Sequence, residues 1–258
     1  MDRTRVEGAL STLSEAGESP AARRLFAREL PQLGAELELG AEAAQHARVL
    51  RLAVGDPVLL FDGRGHTALV ELVQCGKGAL RCVGREAPQF SARGPRVVLV
   101  QCLPKAGKLD DIVRMTTELG VAEIALAISE YCVARAGQGE HKLERLERIA
   151  SEAARQSEQS YLPEVSAPRP LAEVLARAPQ GAYRAACVER SDVSLPFRIE
   201  APELWLAIGP EGGFSPTDRA LLTREHFLPT ALGRSILRTE TAAVVGVALA
   251  LERLGRCH

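Results

Sequence analysis

Residues Leu204 to Phe214 read Leu-Trp-Leu-Ala-Ile-Gly-Pro-Glu-Gly-Gly-Phe, and they are the most informative segment of the chain. Its first half is an apolar run, which predicts a buried strand, and this run stops abruptly at Gly209. The glycines allow the backbone to turn sharply or to lie against another group. Because open α/β sheets bind their ligands just outside the carboxyl ends of the strands, we predict a ligand site at this loop.

A second loop of the same kind follows one helix later. Residues 232–242 read Leu-Gly-Arg-Ser-Ile-Leu-Arg-Thr-Glu-Thr-Ala, and they also open a helix. The helix between the loops has a clear predicted start, because Ser215 precedes a proline and Asp218 follows three residues later. Neither loop contains the Gly-x-Gly-x-x-Gly fingerprint or a Gly-Lys-Ser/Thr motif, so the pattern indicates neither a dinucleotide site nor a Walker loop.

From Arg96 onward the sequence alternates between predicted strands and helices. Strands are predicted at residues 97–103, 121–128, 183–188 and 204–208, and helices at 109–119 and about 140–160. This alternation predicts a parallel sheet with helices on both faces. The last helix, at about 240–254, is apolar almost all round, which predicts burial in the core or in a subunit interface. Gly246 within it indicates the close approach of another backbone.

The N-terminal part of the chain has a different pattern of predicted strands and helices. Short predicted strands between residues 21 and 90 suggest a small barrel, and residues 89–95 read as a linker. Residues 1–20 are polar and read as a loosely attached arm. We therefore predict an arm at 1–20, a barrel domain at 21–92 and an α/β domain at 93–258.

Composition sets limits on the location and the partners of the chain. The 258 residues carry a net charge of −1, so a surface for nucleic acid would have to be local. The six cysteines form no Cys-x-x-Cys pair, which predicts reduced thiols, no zinc site and a cytoplasmic protein. No apolar run approaches the roughly 20 residues that a membrane helix requires, so no membrane partner is expected.

Each candidate motif has a structural alternative. The loop at residues 209–213 is either a strand-to-helix turn or a ligand loop. In the second loop, Thr239 could cap the helix with Glu240 favourable at its positive end, or Arg238 and Glu240 could position a ligand. Lys105 and Lys108, at a strand-to-helix junction, form either a solvated basic turn or a contact to RNA phosphate.

Taken together, residues 206–213 and 232–242 resemble the two signature loops of the RsmE family. This family comprises SPOUT-class methyltransferases that modify N3 of a uridine in 16S (small-subunit) ribosomal RNA. The segments 105–108 and 118–121 are similar to the family's first helix, and the turn at 61–63 is similar to its N-terminal barrel. The chain departs from the family where members often carry a cation, at Met115, Tyr131 and Gln159.

The resemblance implies a PUA-like barrel followed by an α/β domain whose chain forms a trefoil knot, and a homodimer with cofactor sites near the interface. It also implies S-adenosylmethionine as cofactor, bound largely by backbone groups. The residues that match the family's cofactor site are Val188, Ile208, Gly209, Pro210, Glu211, Gly212, Gly213, Leu232, Gly233, Ser235, Ile236 and Leu237.

For catalysis, we expect Arg238 or Arg24 to stabilise the uracil anion, while Glu240 orients the arginine or accepts the proton. Contacts to small-subunit ribosomal RNA, or to the assembled subunit, are expected at Arg24, Lys105, Lys108, Arg155 and Arg234. No metal is expected. Two alternatives stay open: methylation of a different RNA position, and a non-catalytic RNA-binding or ribosome-assembly factor.

Overall fold

The computed structural model describes residues 23–105, 107–132, 139–189 and 191–255. The chain divides into two compact units. The N-terminal unit runs to Asp62 and resumes over His66–Gln89, and the C-terminal unit comprises Gly63–Gly65 and the chain from Phe90 onward. The predicted arm at 1–20 lies outside the described residues. The predicted domain limits at 21–92 and 93–258 stay predictions.

In its described residues, which begin at residue 23, the N-terminal unit is a mainly antiparallel sheet with one helix. Its elements are β1 (Arg24–Phe26), β2 (Glu36–Leu39), α1 (Ala41–Val49), β3 (Pro57–Phe61), β4 (His66–Cys75) and β5 (Leu80–Gly84). These strands follow the order β1-β3-β4-β5-β2, in which only β1 and β3 run parallel. Alternate residues of β3 and β4 point to one face and form a buried core with α1.

The C-terminal unit alternates strands and helices, as the sequence predicts. After the short β6 (Gln89–Phe90), which straddles the boundary between the units, its elements are β7 (Arg96–Cys102), α2 (Lys108–Glu118), β8 (Glu123–Ile128), α3 (Gly139–Gln156), β9 (Glu164–Val165), β10 (Arg169–Pro170), α4 (Leu171–Leu175), β11 (Tyr183–Cys187), β12 (Glu203–Ile208), α5 (Pro216–Arg224), β13 (Leu228–Thr230) and α6 (Thr239–Arg253).

The seven strands of this unit's sheet pair in parallel, in the order β10-β8-β7-β12-β11-β13 with β9 beside β8. Both faces of the sheet are buried. In β7, Val97 and Leu99 pack with α2, α3 and α6, whereas Val98 and Val100 pack with α4 and α5. This two-residue alternation over two covered faces explains why the central strands contain nearly continuous apolar runs.

Local signals place the helices that border the site. Ser215 and Asp218 form a capping box at the start of α5, so the helix start predicted there is confirmed.

Gly246 in α6 has a different role from the one that the sequence suggests. A Cβ there would lie 2.6 Å from Leu206 Cδ2, so the glycine makes room for a buried side chain of β12 rather than for a second backbone.

No helix within the described ranges is long and apolar enough to cross a membrane. The five cysteines in those ranges, which exclude Cys257, carry free thiols.

Candidate active site

The carboxyl ends of three neighbouring parallel strands meet at one cavity of the C-terminal unit. Strand β11 ends at Cys187, β12 at Ile208 and β13 at Thr230, and all three residues line a cavity of about 590 Å³. Typical small-molecule pockets measure about 300–1,000 Å³. The cavity therefore has the size of a cofactor site and lies where parallel sheets bind their ligands.

Both glycine-rich loops line this cavity. All the residues expected to bind the cofactor lie on its wall: Val188, Ile208, Gly209, Pro210, Glu211, Gly212, Gly213, Leu232, Gly233, Ser235, Ile236 and Leu237. The side chains of Arg234 and Arg238 lie there too. The fold thus brings these residues together, and their individual roles stay predictions.

The first loop, residues 209–213, is a tight turn that side chains would disrupt. A Cβ on Gly209 would lie 3.2 Å from the carbonyl carbon of Gly213, and Gly213 itself has a φ of +70°. The N–H of Gly213 donates a hydrogen bond to the carbonyl oxygen of Pro210 at 2.9 Å. The loop therefore presents mainly backbone to the cavity.

A buried threonine joins the second loop to the first. The hydroxyl of Thr239, the first residue of α6, donates a hydrogen bond to the carbonyl oxygen of Gly209 at 2.8 Å. It also lies 3.2 Å from Nε2 of Gln101, a fully buried side chain of β7 that donates to it. The N-cap of α6 is Arg238, whose side chain makes no capping hydrogen bond. The alternative in which Thr239 acts as the cap is therefore wrong.

An ion-pair cluster connects the two loops with α2. The Lys108 ammonium lies 3.2 Å from Oε1 of Glu211 and 3.1 Å from Oε2 of Glu240. The backbone N–H of Lys105 donates to both carboxylate oxygens of Glu211, at 3.1 and 3.2 Å. Glu211 is thus held by the backbone of Lys105, just before α2, and by the side chain of Lys108, the first residue of α2.

These contacts shift the ionisation of all three groups. Burial raises the pKa of Glu211, but backbone hydrogen bonds and Lys108 outweigh it and leave this pKa below its ordinary value. A hydrogen bond from its own backbone N–H, with Lys108 and Arg238, lowers the pKa of Glu240. The hydrogen bonds to Glu240 and Glu211 raise the pKa of Lys108. All three are therefore charged at neutral pH.

The expected cofactor fits this site by its chemistry. Gly209, Gly212, Gly213 and Gly233 lie on the wall, and their lack of side chains lets a ligand approach backbone N–H and C=O groups there. The Cys187 thiol on the wall has its pKa raised by burial to about 12, so it stays protonated and does not act as a nucleophile. Within the described ranges, no group of His, Cys, Asp or Glu could hold a metal ion.

Residues 92–251 match the family model described as RNA methyltransferase domain, and residues 39–83 match that described as RNA methyltransferase PUA domain. The chain is similar to a ribosomal RNA small subunit methyltransferase E from Synechocystis sp., with 33% identity over 78% of this chain and 67% of that protein. A protein of the same name from Mycobacterium bovis is 30% identical over 84% of this chain and 87% of its own. The chain belongs to the ribosomal RNA small subunit methyltransferase E (RsmE) family.

A solved structure of a methyltransferase has a similar fold. A putative methyltransferase from Legionella pneumophila, determined in complex with the bound cofactor S-adenosylmethionine, matches with a TM-score of 0.81 and 26% identity, over 90% of this chain and 97% of that one. The predicted fold class, a PUA-like domain followed by a parallel α/β domain, is confirmed. The trefoil knot stays a prediction.

The residues expected to catalyse RsmE chemistry lie in different surroundings. Arg238 is exposed on the cavity wall, and Glu240 lies beside Lys108. Arg24 belongs to the N-terminal unit, where its side chain is largely buried and its guanidinium lies 5.1 Å from the centre of the Phe61 ring.

The expected RNA contacts also differ in their surroundings. Lys105 and Arg234 are exposed, and Arg234 lines the cavity. Arg155 lies 3.3 Å from Glu152 on α3, and Lys108 lies between the two carboxylates of the cluster. RNA binding by these residues stays a prediction.

Sequence reasoning missed the buried link between Gln101 and Thr239. A signal for it exists, because Gln101 is a single polar residue inside the apolar run of β7. A fully buried amide must find hydrogen-bond partners, so it marks a place where a polar group of another element approaches.

Proposed function

We propose that this chain methylates N3 of a uridine in 16S ribosomal RNA and uses S-adenosylmethionine as the methyl donor. The observation that carries the proposal is the cavity at the carboxyl ends of β11, β12 and β13, which both signature loops line. Its wall collects every residue that the family resemblance assigns to the cofactor, and the family matches support the same chemistry.

S-adenosylmethionine supplies an already activated methyl group, so the chain has mainly to position the reacting base. Uracil N3 is protonated at neutral pH and must lose its proton before it can accept a methyl group. A cation beside the base stabilises the anion that forms. Arg238, exposed on the cavity wall, fits this role, and Arg24 is the second candidate.

Of the two roles predicted for Glu240, orientation fits the geometry better than proton transfer. Its pKa is lowered by a backbone hydrogen bond, Lys108 and Arg238, which makes its carboxylate a weak base. Its negative charge acts on Arg238 and supports the placement of that guanidinium.

A homodimer is part of this proposal. On α6, the side chains of Val244, Val245 and Ala248 are partly exposed, although each is apolar. An exposed apolar stripe on a helix next to a ligand cavity is typical of a surface that another subunit covers. A second copy of the chain, seated on this stripe, would lie near the cofactor site.

We further propose that the N-terminal PUA-like domain contributes to binding ribosomal RNA, and that the protein acts in the cytoplasm. The match of residues 39–83 to a PUA domain of RNA methyltransferases supports the first proposal. The free thiols of the described cysteines support the second.

The test is to incubate the purified protein with labelled S-adenosylmethionine and small ribosomal subunits that lack this modification, and to map the methyl group by mass spectrometry. Naked 16S ribosomal RNA is tested in parallel. One methyl group on uridine N3 is the expected result. A methyl group elsewhere would move the target to another RNA position, and cofactor binding calorimetry without any heat of binding would favour a non-catalytic RNA-binding protein.

A further inference from the structure

Lys108 is the meeting point of three segments that are distant in the sequence: the start of α2, the loop at residues 209–213 and the start of α6. We propose that Lys108 is a positioning residue that clamps the two cofactor loops at the spacing the cofactor needs, and that it does not serve RNA. The inference rests on the proposed function only for the identity of the ligand.

The clamp is built from partly buried charges. The carboxylates of Glu211 and Glu240 are about four-fifths buried, with side-chain exposures of 22% and 21%, and both approach the same ammonium. Partial burial strengthens such ion pairs, because solvent screens them less than it screens exposed pairs. Without Lys108 the two carboxylates would repel each other.

The clamp acts at a different level from the buried hydrogen bond of Thr239. That bond joins the buried first residue of the loop, Gly209, to the first residue of α6. Lys108 joins the outer part of the same loop, at Glu211, to the next residue of α6. Lys108→Met would leave the Thr239 bond and the hydrogen bonds from the Lys105 N–H to Glu211 in place. It would remove the outer link between this loop and α6, and the wall of the cavity would lose part of its preorganised shape.

The same contacts argue against an RNA role for Lys108. Two carboxylates within ion-pair distance balance its single positive charge, so Lys108 offers little free positive charge to an approaching phosphate. Lys105 lies three residues earlier with its side chain exposed. It contributes to the cluster only through its backbone N–H, which any side chain would leave in place.

This difference provides a matched pair of variants. Lys108→Met and Lys105→Met remove the same charge from the same end of α2, but only the first removes the clamp. Calorimetry with S-adenosylmethionine and with S-adenosylhomocysteine should show Kd values about tenfold higher for Lys108→Met, because the loops must then be ordered on binding. Lys105→Met should keep the wild-type Kd, and Lys108→Arg should recover part of the loss. An RNA contact would instead raise the KM for RNA in Lys108→Met and leave both cofactor Kd values unchanged, which would overturn the proposal.

A mutant cycle tests whether Lys108 couples the two loops. The effects of Glu211→Gln and Glu240→Gln on cofactor Kd should be non-additive with Lys108 present and additive in the Lys108→Met background. Additive effects in both backgrounds would mean that each carboxylate acts alone, and the clamp would be rejected.

Hydrogen–deuterium exchange without ligand separates the clamp from the proposed function. Lys108→Met should speed exchange in residues 209–213 and 232–238, whereas Lys105→Met should not. If the wild-type protein binds neither cofactor form, the proposed function fails and exchange alone decides on the clamp. If the wild type binds both but Lys108→Met changes neither exchange nor Kd in a protein with a wild-type melting profile, the clamp fails and the function stands.

Discussion

Arg238 occupies the N-cap of α6 with its side chain exposed on the cavity wall. We expect Arg238→Ala to lower kcat by about 100-fold to 1,000-fold, as the loss of an anion-stabilising donor does in other enzymes. Binding of S-adenosylmethionine should be little changed, because we expect the cofactor to be held largely by backbone groups. Single-turnover kinetics with saturating cofactor and calorimetry measure the two effects.

The matched control for this change is Arg224→Ala, which removes an exposed arginine from the end of α5. It should leave kcat at the wild-type level. If Arg238→Ala and Arg24→Ala both retain full turnover, the assignment of the anion-stabilising group to these arginines is wrong.

The two carboxylates of the Lys108 cluster give the stability a defined pH dependence. Because the pKa values of Glu211 and Glu240 are lowered in the folded state, their contribution is present above the unfolded-state pKa and disappears as the pH falls through the folded-state pKa. The pKa of Lys108 is raised, so its contribution is lost only in alkaline solution. The cluster therefore stabilises the fold across the neutral range.

We expect Glu240→Gln to lower the free energy of unfolding at pH 7. This difference from wild type should shrink as the pH falls below the ordinary glutamate pKa of about 4.3 and disappear below the lowered folded-state pKa of Glu240. Urea unfolding at a series of pH values measures it. Glu200→Gln, which changes a side chain that is 82% exposed, serves as the control and should show little effect at neutral pH. A difference for Glu240→Gln that is the same at acid and neutral pH would contradict the prediction.

At the scale of the element, α6 depends on a glycine that faces β12. Gly246→Ala would gain about 1 kcal/mol of helix propensity. It would also place a methyl group 2.6 Å from Cδ2 of Leu206, which is fully buried, so the helix or the strand must shift. Overpacking of this kind costs about 1–3 kcal/mol, and we expect a net loss of up to about 2 kcal/mol in urea unfolding.

A double variant isolates the cause of that loss. Leu206→Val shortens the side chain that the new methyl group would meet, so Gly246→Ala should cost less in the Leu206→Val background than in the wild type. Equal costs in the two backgrounds would place the strain elsewhere in α6.

At the scale of the whole molecule, the partly exposed apolar stripe of α6 predicts self-association. We expect Val245→Glu to convert a dimer into a monomer in sedimentation equilibrium, because a buried, unpaired carboxylate at an interface is strongly unfavourable. Ala220→Glu, on an exposed position of α5, is the control and should stay dimeric. A wild-type protein that sediments as a monomer at all concentrations tested would rule out the homodimer.

The fold class and the location of the site follow from local patterns in the sequence. Strand and helix periodicity are local properties, so the apolar runs of β7 and β12, the capping box at Ser215 and the glycines of the first loop could be interpreted without contacts. The rule that ligands bind at carboxyl ends of parallel strands then placed the cavity, although not its depth or shape.

The packing of the elements decides which polar groups meet around the cavity. Lys108 could face solvent, RNA or a carboxylate, and Glu211 and Glu240 become its partners because β7 and β12 are neighbours in the sheet and α6 packs against both. For the same reason Thr239 donates to Gly209 instead of capping α6, and Gly246 faces Leu206. Side-chain partners across elements depend on distances between strands that are remote in sequence, and no local pattern encodes those distances.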